Sequence, residues 1–244
     1  MKFKILFIFL FISHFCFAQQ VINQKTEIIK TTNGFQLLRN GMPYYVKGAG
    51  GTEYLDVLKS IGGNSIRTWS TDGAKKVLDD AYANGISVCL GFWVGHERHG
   101  FNYNDEYAIT AQLKAFEQDI LKYKDHPALL MWAIGNEVDL FYKNFGVWNA
   151  IEDIAKMIKK LDPNHPTMTV TAGIDPAEVF MIKKYCPSID ILGINTYGGI
   201  KNLSNQVRMY GWEKAYMVTE WGPYGHWESP MTSWGVAIES TSKE

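Results

Sequence analysis

The chain has 244 residues, of which 46% are hydrophobic, enough for one domain with a sizeable core. Its 24 Lys and Arg against 25 Asp and Glu leave no bulk charge to hold nucleic acid or a membrane surface, so neither partner is indicated. Three cysteines are too few for a disulfide scaffold, and Cys89, inside an apolar run, is expected as a buried thiol.

Met1-Lys-Phe-Lys4 leads into an unbroken apolar run from Ile5 to Ile12, and Phe15-Cys-Phe-Ala18 precedes polar Gln19-Gln20. A basic start, a short apolar run and a small residue at the cut describe a secretory signal peptide over residues 1–18. The run is far short of the roughly 20 residues that span a bilayer. A secreted or periplasmic product is therefore expected, with no membrane association beyond the leader. Lipid attachment at Cys16 is the rival reading, disfavoured by Phe15 in front of the cysteine.

Residues 19–43 form a lead-in segment. Gly34–Arg39 and Pro43–Val46 flank Asn40-Gly41, a type I′ turn dipeptide, and predict an N-terminal β-hairpin. From Tyr44 onward the pattern alternates. Strands are predicted at 44–48, 65–69, 86–94, 129–136, 167–171, 189–195 and 215–219. Helices are predicted at 53–61, 73–83, 105–123, 148–161, 176–185 and 203–210. The second of these helices sets Leu78, Ala81 and Tyr82 on one face. Asp162-Pro163 stops the fourth, and Asp175 caps the fifth with Pro176 in its first position.

Strands alternating with helices imply parallel pairing and right-handed crossovers. The fold class predicted for residues 44–244 is α/β, a (β/α)8 barrel. Such a barrel typically takes about 250 residues, whereas roughly 200 follow Tyr44 and only seven strands are found, so it is expected to be truncated before strand eight. Lys47-Gly-Ala-Gly-Gly-Thr52 lacks the Gly-x-Gly-x-x-Gly spacing that opens a helix on a dinucleotide. No cofactor is expected.

In barrels of this kind the active site is built at the C-terminal ends of the strands. The predicted ends carry Arg67-Thr-Trp69, Phe92-Trp93 followed by His96, Asn136-Glu137, Asn195-Thr-Tyr197 and Glu220-Trp221. A lone glutamate after a strand is ordinarily a solvated loop residue or a helix cap. Two of them, Glu137 and Glu220, with an arginine, an amide and a tyrosine at equivalent positions, suggest a catalytic constellation. Paired carboxyl groups flanking one bond are the machinery of glycoside hydrolysis. His96, Glu97 and His99 match no zincin spacing, so no metal is expected.

Gly135-Asn136-Glu137 closing the fourth strand, together with Thr219-Glu220 closing the seventh, resembles the retaining β-glycosidases of glycoside hydrolase clan A. Trp132-Ala-Ile-Gly-Asn-Glu137 and the lead-in Asn40-Gly-Met-Pro-Tyr-Tyr-Val-Lys-Gly48 are most similar to the TIM-barrel domain of glycoside hydrolase family 2. The resemblance implies a carbohydrate substrate and double displacement, with Glu220 as nucleophile and Glu137 as acid and then base. It also implies that Arg67 and Tyr197 hold the nucleophile, and that Asn136 donates to the sugar 2-hydroxyl. Trp69, Trp93, Trp221 and Trp227 are candidate floors for sugar rings, since apolar pyranose faces pack on aromatic rings, and each is equally readable as core. His96 is a candidate contact to a substrate hydroxyl.

The resulting expectation is an exported retaining β-glycoside hydrolase acting on poly- or oligosaccharides. Two alternatives share these residues: a β-glucan transglycosylase, and a carbohydrate-binding barrel made inactive by truncation.

Overall fold

The computed structural model describes residues 24–225 and 227–238. The predicted leader, with Cys16, lies outside them, as does the polar end from residue 239. A small antiparallel sheet comes first, from β1 (Thr26–Thr31), β2 (Gly34–Arg39) and β3 (Met42–Pro43). Asn40 and Gly41 both take positive φ, 53° and 76°, as a type I′ turn demands. The hairpin expected from sequence is therefore present, but a third strand, β1, pairs along the whole of β2, and β3 stops at Pro43.

Tyr44 N still donates to Leu37 O (2.8 Å), but beyond it a side chain takes the place of a neighbouring backbone at Tyr45 and Lys47. Asn64 accepts from Lys47 N through Oδ1 (2.8 Å) and donates from Nδ2 to Tyr45 O (2.9 Å). The Tyr44 hydroxyl donates to Asn64 O at 2.7 Å. The first barrel strand thus starts later than predicted.

Seven parallel strands follow: β4 (Gly48–Gly50), β5 (Ser65–Arg67), β6 (Ser87–Phe92), β7 (Leu129–Ile134), β8 (Thr167–Ala172), β9 (Ile191–Tyr197) and β10 (Ala215–Gly222). They pair in chain order, so that β4 and β10 end the sheet and no eighth strand joins them among the described residues. The connecting helices are α1 (Leu55–Ser60), α2 (Ala74–Ala83), α3 (Glu106–Tyr123), α4 (Gly146–Leu161), α5 (Pro176–Tyr185) and α6 (Ile200–Met209). The result is a nearly closed barrel ringed by helices. Asp105 caps α3 by accepting from Tyr107 N and Ala108 N, and Asp175 caps α5 by accepting from Ala177 N; each such cap is worth about 1 kcal/mol.

Strand residues alternate between two cores, as a period of two requires. Val88, Leu90 and Phe92 of β6, Trp132 and Ile134 of β7, and Leu192 and Ile194 of β9 pack on the helix layer. Phe92 and Trp132 stack there, 5.1 Å apart and within 3° of parallel. Leu78 and Ala81 of α2 join that layer, while Tyr82 is exposed. Cys89, Leu130, Met131, Ala133, Met168, Val170, Ile191 and Ala215 form the second core, Leu130 beside Met131 breaking the alternation, with the Cys89 thiol pushed up to about 12 by burial.

Ile28, Phe35 and Leu37 of the small sheet pack against this second core. Arg39 donates to Pro127 O (2.7 Å) and Thr26 N to Asn164 O (2.8 Å), both just before barrel strands. The small sheet therefore floors the N-terminal end of the barrel and leaves the C-terminal end to the polar residues.

Candidate active site

β7 ends in a tight turn that presents two polar side chains. Gly135 has φ 76° and Glu137 φ 52°, and the left-handed region costs a non-glycine residue on the order of 1–3 kcal/mol. Glu137 N donates to Val170 O at 2.9 Å and Gly135 N to Phe92 O at 3.0 Å, so both neighbouring strands hold the turn. Asn136 is buried and Glu137 half-buried. The Asn136 Oδ1 accepts from Arg67 Nη2 (2.7 Å) and Asn195 Nδ2 (3.3 Å), and the same Asn195 nitrogen donates to Glu137 Oε1 at 2.8 Å.

β10 delivers the other carboxylate through an irregularity. Val218 pairs with Ile194, yet Glu220 pairs with Asn195, so the register shifts across Thr219. Simple alternation would put Thr219 inside the barrel and Glu220 outside. The bulge re-aims the second side chain inward, a common use of bulges near sites.

Three donors converge on Glu220: Arg67 Nη1 and Trp69 Nε1 on Oε1, each at 2.9 Å, and the Tyr197 hydroxyl on Oε2 at 2.8 Å. Burial, followed by the bond to Glu220, pushes the Tyr197 phenol up to about 12, so it remains a donor at any neutral pH. The Arg67–Glu220 ion pair is largely withdrawn from water, where losing one partner strands the other at high cost.

An unbroken hydrogen-bonded path thus runs from Glu220 through Arg67, Asn136 and Asn195 to Glu137. One carboxylate gripped by donors and a second held more lightly in the same network can attack an electrophilic carbon and exchange a proton with its leaving group.

The remaining aromatic candidates scatter around this centre. The Trp69 ring lies on Arg67 (5.5 Å) and so close to Gly50 that a Cβ there would come within 2.8 Å of it; its indole N–H serves Glu220. His96 is almost fully buried, with Nε2 2.6 Å from Asn136 O. A carbonyl can only accept, so Nε2 carries the proton, and burial lowers the ring's proton affinity and keeps it neutral. Trp93 is 43% exposed and gathers His96 (4.7 Å) and His99 (6.2 Å, within 4° of parallel). Trp227 meets the Tyr197 ring edge-on at 5.4 Å. Trp221 and Trp227 are both well exposed. Glu97 accepts from Lys143 N and Asn144 N, tying its turn to the loop that follows Glu137.

Asn195 and Thr219 are contributors that the sequence reading left without a role. The signal for Asn195 was available: Gly193, Asn195 and Tyr197 share one face of β9, so an amide two residues before a site tyrosine points into the same space. Thr219 had the same kind of signal, since Ala215, Met217 and Thr219 share one face of β10, while the bulge that brings Glu220 in beside it has no local sequence signature here.

The pattern of the glycosyl hydrolases family 2 TIM barrel domain matches residues 55–223. A β-glucuronidase of Chlorocebus aethiops is 27% identical over 181 residues, taking in 66% of this chain and 26% of that protein. One from Paenibacillus borealis is 27% identical over 242 residues, taking in 83% of this chain and 37% of that protein. Among solved structures, the β-D-glucuronidase of Dictyoglomus thermophilum superposes with a TM-score of 0.64 at 20% identity, over 88% of this chain and 41% of that one. An endo-1,4-β-mannanase from Eisenia fetida superposes with a TM-score of 0.59 at 14% identity, over 71% of this chain and 73% of that one. At such identities the structural likeness bears on the fold alone. The chain spans less than half the length of the β-glucuronidases it matches.

Proposed function

This chain belongs to glycosyl hydrolases family 2, in its TIM-barrel part, and on that premise we propose that it is an exported retaining β-glycoside hydrolase cleaving O-glycosidic bonds of oligo- or polysaccharides. The observation that carries the reading is the path of hydrogen bonds joining Glu137 to Glu220. It makes one site of two glutamates that lie far apart in the chain.

In this reading Glu220 attacks the anomeric carbon. Its donors Arg67, Trp69 and Tyr197 fix the carboxylate's direction before substrate arrives, so no reorientation is needed in the transition state. Glu137 protonates the departing oxygen, the glycosyl-enzyme forms, and Glu137 then takes a proton from the attacking water. With its oxygen engaged by Arg67 and Asn195, Asn136 has its amide N–H groups to offer the sugar 2-hydroxyl. Metal and cofactor have no part in these steps.

Exposed Trp93, Trp221 and Trp227 near the strand ends support a saccharide longer than one ring, because each supplies an apolar face for a pyranose. The names of the relatives make an oligosaccharide ending in a β-linked uronic acid the first substrate to try. Export rests on the leader read in residues 1–18.

The test uses the full chain with aryl β-glycosides and oligosaccharides. Glu220→Ala should abolish turnover, and azide should restore part of it while yielding an α-glycosyl azide. Glu137→Ala should damage hydrolysis of poor leaving groups far more than that of activated aryl glycosides. Equal loss on both substrate types would remove Glu137 from the acid role.

A further inference from the structure

We propose that Thr219 and Asn195 form a positioning relay for Glu137, so that one strand, β10, aims both carboxylates; this rests on reading Glu137 as the acid and base. Asn195 is almost completely buried, and two acceptors, Asn136 Oδ1 and Glu137 Oε1, lie on one side of its amide. Only the N–H2 end satisfies both. The Oδ1 end is then directed at Thr219, whose hydroxyl donates to it at 2.8 Å.

Those two acceptors settle which way the amide faces, and the Thr219 hydroxyl holds it there by satisfying the oxygen left on the other side. Turned over, the amide would set its oxygen against the oxygens of Asn136 and Glu137, leaving buried acceptors facing one another. Thr219 reaches Asn195 by the alternation of β10, while the bulge beside it brings Glu220 in as well. The same two residues therefore place the nucleophile directly and the acid through Asn195. Thr219 also packs its methyl toward Gly193, where a Cβ would come within 2.9 Å of it, so valine at 219 keeps the shape and removes only the donor.

A side-chain N–H held in a hydrogen bond exchanges its proton with solvent more slowly than a free one, and the relay is therefore read in the exchange of the Asn195 side-chain amide protons. Nitrogen-labelled asparagine is followed by NMR in the full chain at one pH, with Asn195→Asp identifying the pair of signals.

Glu137→Ala should speed exchange of the Asn195 protons about tenfold, because it removes an acceptor from them. Thr219→Val should speed it about threefold, although residue 219 bonds only to the amide oxygen. Thr219→Ser should keep the wild-type rate, and Thr219→Ala replaces the valine variant if that one does not fold. A Thr219→Val exchange rate equal to wild type would overturn the relay, even if Glu137→Ala speeds exchange. The readout needs no turnover, so a wild-type chain that hydrolyses nothing would sink the glycosidase reading while the relay is still judged by the exchange rates.

Discussion

At the N-terminal end of the barrel, Met168, Ile191 and Ala215 meet Ile28, Phe35 and Leu37 of the small sheet in an apolar contact. At the other end the barrel strands finish in Arg67, Asn136, Asn195, Tyr197 and Glu220, every one of which hydrogen-bonds to another of the set. The floor is held by area and shape, which any well-packed set of apolar side chains of similar volume supplies. The mouth is held by pairwise satisfaction, in which removing one member leaves a buried partner without its bond. Stability and chemistry therefore sit at opposite ends of single strands, only a few residues apart.

Arg67→Met gives the largest effect expected at the mouth. It removes a donor from Glu220 and from Asn136 together, and turnover should fall by about 10²–10³-fold, the usual loss for one preorganised donor. Melting should also show a loss of about 3–5 kcal/mol, because Glu220 keeps its burial without its counter-charge. Unchanged turnover would mean that the mouth tolerates substitution as the floor does.

Met168→Ala is the matching change at the floor. It should cost about 2–5 kcal/mol of stability, as for other buried large-to-small changes, with turnover per folded molecule unaffected. A fall in turnover of the folded fraction would show that the two ends are coupled.

The smallest effect lies beside the mouth, at Glu178 in the first turn of α5. Burial, then the charges of Asp139 and Asp175, pushes its carboxyl up to about 8 from an ordinary 4.5. Between those values the folded protein holds a proton that the unfolded chain has released, so stability declines as pH rises through the window. Glu178→Gln cannot ionise. Its melting temperature should exceed wild type by a few degrees at pH 8 and match it near pH 4, and parallel curves at all pH would remove Glu178 from the account.

Much of this was legible in the residues alone. Asn40-Gly41 announced its turn because few pairs tolerate two positive φ values, and Asp175-Pro176 announced a helix start because cap and ring act within three residues. The alternation of apolar runs with amphipathic segments predicted seven parallel strands, and each strand's last residues could be read as a cluster once the barrel was assumed. Less legible was the entry to the barrel, where the side chain of Asn64, distant in sequence, bonds the backbone of Tyr45 and Lys47 in place of a neighbouring strand.

Sequence by itself determined the barrel, its polar end and the two glutamates, since these follow from periodicities and short motifs that act within one element. Tertiary structure alone decided how the polar groups are shared: the bulge that turns Glu220 inward, the Trp69 indole that serves Glu220, and the Thr219 hydroxyl that bonds the oxygen of Asn195 while its nitrogen serves Glu137. The physical reason is that a hydrogen bond is chosen between groups the fold brings together. Arg67 and Glu220 stand 153 residues apart in the chain, and no local pattern records which donor will face which acceptor.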